Sequence, residues 1–482
     1  MNSVKRYVFT LLLALPYSLC GQPGTDSLWS LPDSVKAFTI DNFYALVLDH
    51  HPVAKQADLL SEFARQEIRL ARGNFDPKLE AQYLAKNYND TDYYRIFNSS
   101  LKFPSVLPFD PSIGVESNKG KYLNPERYIS DQFGYRQFYA GVSLPLLRGL
   151  ITDDRRASLR QAELFSDMME AEQVKVINKL LLEAAKDYWQ WAIAYYNYRL
   201  LDQNVRIAGE IFRRVKLNTT MGEAAPIDTI QAKVTLQQRL VERQEIFLDF
   251  QNAGIRLSTY LWDSLSNPLE LPLNFVPVMT KEIVGVSAQE LEEMLTQARA
   301  NHPELQKLSV KLQQLDVDRR LASEYLKPKL DLNYYFLNQP FDPEWNTSLQ
   351  AGENYKLGVD FSFPIFLRKE RAKLAQTKLK ISTTRFEQSL TERQVLNDIT
   401  SAYNQVVNNQ AIIAQQVSMV DNYNRLLSAE LLNLENGESD LFKINIQTEK
   451  LIQSQMKLIK LLGEYEKSKA TLYWAAGVRR LR

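Results

Sequence analysis

Cysteine occurs once in this 482-residue chain, at Cys20, and histidine three times, at His50, His51 and His302. One thiol can form neither an internal disulfide nor a cysteine-rich metal centre. Two adjacent histidines and one distant one give no HExxH or HxxxH spacing, and no Walker A or GxSxG stretch occurs. The carboxylate pairs Asp153-Asp154 and Glu292-Glu293 read as solvated helix surface. No catalytic, cofactor-binding or metal-ligating residue is therefore singled out, and an enzyme is not expected. With 58 Lys+Arg against 57 Asp+Glu the formal charge is +1, and no basic tract marks a nucleic-acid surface. Nowhere do about 18 apolar residues run together, which excludes a spanning helix. If the chain crosses a membrane, strands must do it.

What is present begins with a short export signal. Lys5 and Arg6 precede an apolar run from Tyr7 to Leu15, followed by small and polar residues. Residues 1–21 read as a secretory signal peptide, cut after Gly21. Cys20 is the alternative processing point as a lipidation site, although Leu19 stands where a lipoprotein signal wants a small residue.

The rest is written twice. "RLARGNFDPKLEAQY" at 69–83 returns as "RLASEYLKPKLDLNY" at 320–334, an offset of 251 residues, and at the same offset His51-Pro52 falls on His302-Pro303. Seven of the fifteen positions agree, where unrelated windows share about one. After an extended segment over 22–40, a first repeat spans 41–262: a helix, a β-hairpin over about 77–145 and a long helical hairpin over 146–262. A connector over 263–290 carries Pro268, Pro272 and Pro277. The second repeat spans 291–482, with a helix, a β-hairpin over about 328–364 and a long helical hairpin over 365–476.

Each repeat changes period at proline. Helical patterning stops near Pro77 and Pro328, and strict alternation follows. Leu330, Leu332, Tyr334 and Phe336 share one side; Tyr355, Leu357, Val359 and Phe361 share one side of the partner, which ends at Pro364. In the first repeat Leu79, Ala81 and Tyr83 begin one strand, and Phe138, Ala140, Val142 and Leu144 finish another at Pro145. The Pro- and Gly-containing stretch 103–128 between them reads as an exposed loop. About nine residues suits either a half-buried soluble strand or a tilted membrane strand. Four strands per chain cannot close a barrel alone.

Proline is then absent from Leu146 to Ala225 and from Ile365 to Arg482. Ile399, Tyr403, Val406, Gln410, Ile413, Val417, Val420, Asn424, Leu427, Leu431 and Leu434 follow alternating four- and three-residue steps, a coiled-coil seam in which Gln410 and Asn424 set register. Ala157 to Gly222 and Ala372 to Gly437 are both 65 residues; Asp228 to Trp262 and Asp440 to Trp474 are both 34. A 65-residue helix is about 100 Å long. Asp228 and Asp440 stand at the far tips, where they read either as helix caps or as carboxylate rings across a pore.

This doubled order of helix, proline, strand pair, proline and long hairpin resembles the TolC family of outer-membrane efflux and secretion channels. The resemblance is carried by "HHPVAKQADLLSEFARQEIRLARGNFDPKL", "NHPELQKLSVKLQQLDVDRRLASEYLKPKL", "GVSLPLLRG" and "FSFPIFLRKERAKLAQ". It implies a mainly α chain with membrane β, forming a homotrimer. Four strands per chain would close a twelve-stranded barrel in outer-membrane lipid of a Gram-negative bacterium, continued by a coiled-coil α-helical barrel in the periplasm. It further implies a passive exit duct working with a periplasmic adaptor and an inner-membrane transporter, with Pro77, Pro145, Pro328 and Pro364 at the helix-to-strand junctions. Gly222 and Asp228 match the family's tip spacing; Gly437 and Asp440 are three residues closer together, and Lys443 stands where some members carry a second acid. The rival reading is a periplasmic coiled-coil scaffold or adaptor whose strands form a soluble sheet.

Overall fold

A computed structural model describes residues 36–124, 126–128, 136–222, 225–272, 274–337, 354–436 and 438–478. The signal peptide, Cys20, residues 22–35 and Gly437 lie outside the described residues. The element order is β1 (Lys36–Phe38), α1 (Ile40–His50), α2 (Pro52–Arg72), β2 (Lys78–Tyr88), β3 (Thr91–Lys102), β4 (Asp110–Lys119), β5 (Arg136–Pro145), α3 (Asp154–Met221), α4 (Pro226–Ser258), β6 (Phe275–Pro277), α5 (Ala288–Asn301), α6 (Pro303–Glu324), β7 (Lys329–Leu337), β8 (Tyr355–Ser362), α7 (Arg368–Glu435) and α8 (Leu441–Ala475).

Both repeats start their inner helix the same way. His51 Nδ1 accepts the Val53 amide at 3.1 Å, and His302 Nδ1 accepts the Glu304 amide at 3.3 Å. A ring nitrogen can accept only when it carries no proton, and burial lowers the pKa of both histidines. The following Pro52 and Pro303 lose no hydrogen bond in the first turn.

The long helices α3 and α7 are each 68 residues, about 100 Å. High on the bodies α2 packs on α3, α3 on α6 and α6 on α7; lower down α4 packs on α3, α3 on α8 and α8 on α7. The helices thus stand in a curtain, with α2 and α4 at one margin and α7 at the other. The main core lies at mid-height, where Tyr188, Trp191 and Tyr196 of α3 are fully buried with Phe43, Leu257, Ile459 and Tyr465. Tyr188 Oη donates to the Phe38 carbonyl at 2.6 Å and accepts the Val278 amide at 3.3 Å. That one phenol clasps the parallel β1–β6 pair to the curtain, and burial pushes its pKa up, keeping it a donor.

Two expectations are corrected. The seam of α7 buries Ile399, Ala402, Val406, Ile413, Gln416, Val420 and Leu427, so it steps by three and four in the opposite phase. Val417 is exposed instead, and Gln410 and Asn424 are not its register residues. Asn409 Nδ2 donates to Ser468 Oγ at 3.2 Å, and Gln416 Nε2 donates to both the carbonyl and Oγ of Ser454 at 2.9 Å, which fixes α7 against α8. The other correction is the strand count. Among the described residues one sheet holds six strands, in the order β2-β3-β4-β5-β7-β8, every neighbour antiparallel. The stretch 103–128 is not all loop: β4 lies within it, and β3–β4 form an added hairpin.

Candidate functional site

The sheet has two chemically distinct faces. Partners in register run Leu79, Leu101, Ile113, Ala140, Phe336, Tyr355 across all six strands. One residue further along, the line reads Lys78, Lys102, Ser112, Gly141, Tyr335, Lys356. Strand side chains alternate between faces, so one side is apolar over the sheet's full width and the other polar. Tyr83, Phe97, Ile113, Val359 and Phe361 of the apolar face are exposed. On the polar face Lys102 pairs with Glu80 at 2.7 Å, and Tyr139 Oη donates to Asn98 at 3.1 Å. Gly114 and Gly141 leave room there for the rings of Tyr139 and Tyr335, which a Cβ would strike at 2.3 and 2.1 Å. Strands of 8 to 12 residues with this alternation are of bilayer-crossing length.

The four junction prolines sit where the period changes. Pro77 and Pro328 immediately precede β2 and β7, Pro145 ends β5, and Pro364 follows β8 by two residues. The crossing is tied by hydrogen bonds from the Leu146 amide to the Leu330 carbonyl at 2.7 Å and from the Arg148 amide to the Pro328 carbonyl at 3.2 Å. The Arg148 guanidinium lies 3.6 Å over the Tyr325 ring. Asp153 caps α3 by accepting the Arg156 amide at 2.8 Å. Burial alone would raise its pKa, but the hydrogen bonds from Arg156 and the charge of Arg155 hold it below the usual range. Arg155 also grips both oxygens of Asp110, at 3.1 and 3.0 Å, fastening the start of β4 to the first turn of α3.

At the far end, Gly222 closes α3 in the left-handed region, φ 80°, which favours glycine. Asp228, in the first turn of α4, accepts the Ala225 amide at 3.3 Å. Asp440 caps α8 by accepting the Lys443 amide at 2.9 Å, and both Asp440 and Lys443 are exposed. Both tip acids therefore cap helices. Sequence reasoning missed Arg239, eleven residues beyond Asp228. It is buried between the two hairpins, paired with Glu242 at 2.6 Å and with Glu449 of α8 at 2.5 Å. Burial opposes its charge, but the bonds to both glutamates outweigh that and raise its pKa.

The margins of the curtain are apolar, and no described residue covers them. Ile227, Val234, Val241, Leu248 and Ile255 form an exposed row on α4 at seven-residue steps. On the opposite margin Ile412, Met419 and Leu426 of α7 form another at the same step. Higher up, Leu59, Phe63 and Leu70 of α2 face outward, as do Leu379, Phe386 and Leu390 of α7. The sheet repeats the arrangement: among the described residues β2, continuing α2, is one free edge and β8, leading into α7, is the other. Such a two-margined surface is head-to-tail, the kind that closes rings. No helix among the described residues is long and apolar enough to cross a membrane.

Residues 294–478 match the family model described as outer membrane efflux protein. No curated protein matches the chain by sequence. Among solved structures, the chain is similar to the CmeC outer membrane channel of Campylobacter jejuni at 14% identity, covering 94% of this chain and 91% of that one, with a TM-score of 0.61. It is similar to the outer membrane protein VceC of Vibrio cholerae at 14% identity, with coverages of 91% and 96% and a TM-score of 0.62. The open state of the MtrE outer membrane channel of Neisseria gonorrhoeae gives 14% identity, coverages of 91% and 88% and a TM-score of 0.63. The stretch 294–478 thus matches the outer membrane efflux protein model, and the chain as a whole has the fold of these solved outer-membrane channels.

Proposed function

We propose that this chain is the outer-membrane duct of a tripartite efflux or type I secretion system, a homotrimer that passes cargo across periplasm and outer membrane without making or breaking a bond. The observation that carries it is the pairing of a two-faced sheet with a curtain whose opposite margins are both apolar and bare. Lipid would cover the apolar face of the sheet, water would fill the polar side, and the next copy would cover each margin. A periplasmic adaptor and an inner-membrane transporter would supply opening and energy. The tips carrying Gly222, Asp228, Gly437, Asp440 and Lys443 would form the inner mouth, with Asp228 and Asp440 both capping helices and turning charge toward it.

Planar-bilayer conductance of the detergent-extracted protein tests this, beside an Asp228→Ala, Asp440→Ala variant. Discrete channels are expected, with cation preference reduced in the variant. Recovery of folded chain only in the soluble periplasmic fraction, without channels, would overturn the reading in favour of a scaffold.

A further inference from the structure

Among the described residues the added β3–β4 hairpin has no counterpart in the second repeat, where β7 pairs with β8. Three observations assign it a place. Its side chains keep the two-faced alternation of the sheet: Phe97 and Ile113 lie on the apolar face, Asn98 and Glu116 on the polar one. It also spans the full height of the sheet. The Asn89-Asp90 turn, φ 53° at both residues as a tight hairpin requires, stands at the end away from the helices. At the other end the Asp110–Arg155 pair holds β4 to the helix junction. Finally, the hairpin completes a match of widths. Four helices side by side at about 9 Å spacing cover about 36 Å of arc. Six strands at about 4.8 Å spacing, tilted about 40°, cover about 38 Å, whereas four would cover about 25 Å.

We propose that β3–β4 is barrel wall and that copies join β8 to β2 of the next; resting on the trimeric duct above, this closes an eighteen-stranded barrel. The free edges require such a partner, because unpaired strand groups are not tolerated in lipid. They also fit one. β2 runs away from the helices and β8 toward them, so the joint is antiparallel like every other in the sheet. The repeat supplies its register. β5 and β7 are the internal version of the same joint, and Val142 pairs with Tyr334 there. Moving Pro145 onto Pro364 and Pro328 onto Pro77 carries that pair onto Phe361 and Tyr83, both on the apolar face. Eighteen strands make a barrel about 36 Å across, against about 24 Å for twelve.

Single-cysteine variants in lipid nanodiscs test this, with the parent chain as the labelling blank and native mass spectrometry for the copy number. Expected are three copies, protection of Phe97→Cys and Ile113→Cys from a water-soluble maleimide, and labelling of Asn98→Cys and Glu116→Cys. The double variant Tyr83→Cys, Phe361→Cys should oxidise to cross-linked trimers, and Leu84→Cys, Phe361→Cys should not. If all four hairpin sites label while Leu357→Cys on β8 stays protected, the hairpin is not wall, and the duct survives without it. A two-copy complex, or failure of the Tyr83–Phe361 link in a three-copy one, overturns the closure. Labelling of Leu357→Cys itself would sink the duct reading together with this one.

Discussion

The helices α3 and α7 have the same length and different surroundings. α3 has its own chain on both flanks, with α2 and α4 on one side and α6 and α8 on the other, and it buries Tyr188, Trp191 and Tyr196 completely. α7 is covered mainly by α5, α6 and α8 and leaves Phe386 at 76% exposure and Leu379 at 68%. A duplicated ruler was kept in both because both reach from sheet to tip. In the proposed trimer the difference has a reason: one copy is finished within the chain and the other would be covered by a neighbour.

The largest effect that would break this contrast is in α3. Trp191→Ala should cost about 3–5 kcal/mol, because it empties a fully enclosed site; urea unfolding of the extracted protein followed by far-UV circular dichroism measures it. In α7, Phe386→Ala should leave the chain folded yet weaken the oligomer by about 1–3 kcal/mol at each joint, read as a shift toward smaller species on dilution. Equal damage to chain folding from both substitutions would erase the distinction.

Smaller changes sharpen it. Gln416→Leu should cost about 1–2 kcal/mol by leaving Ser454 without its partner, whereas Gln410→Leu should change stability by less than about 0.5 kcal/mol. Thermal melts of the two variants decide whether the α7–α8 register depends on the first and not the second. The smallest effect compares the two histidine caps. Their folded pKa values lie below the ordinary 6.5, so the unfolded chain binds more protons between those values. Stability is full above pH 6.5, falls as pH drops below it, and levels off once the folded rings are protonated. Melting temperatures at pH 7.5 and 5.5 should therefore separate more in the parent than in a His51→Asn, His302→Asn variant, where asparagine caps without titrating.

Much of the architecture was legible because proline and periodicity change together. The absence of proline over 146–225 and 365–482 reads directly as the two longest helices, and the alternation after Pro328 as β7. The added hairpin was obscured because Arg95 and Ser99 interrupt the apolar side of β3, and Pro111, Gly114 and Glu116 give β4 the composition of a loop. The tight Asn89-Asp90 turn, followed by alternation through Phe97 and Leu101, was the available signal. In α7, apolar counting selects Tyr403 and Val417, but the seam uses Ala402, Asn409 and Gln416, whose small or amide side chains suit close approach and cross-helix bonding. Arg239 carried little local signal: Glu242 three residues on makes an ordinary helix pair, whereas its second partner Glu449 is 210 residues away and only folding places them together.

The grip of Arg155 on Asp110 has a mechanical consequence. It fixes the upper end of α3 at the sheet, and the core around Tyr188, Trp191 and Tyr196 fixes the helix again at mid-height. Only the stretch below Tyr196 to Met221, about 38 Å, is left to bend. Moving the tip by about 10 Å therefore takes about 15° of deflection, shared with α4, which packs along it.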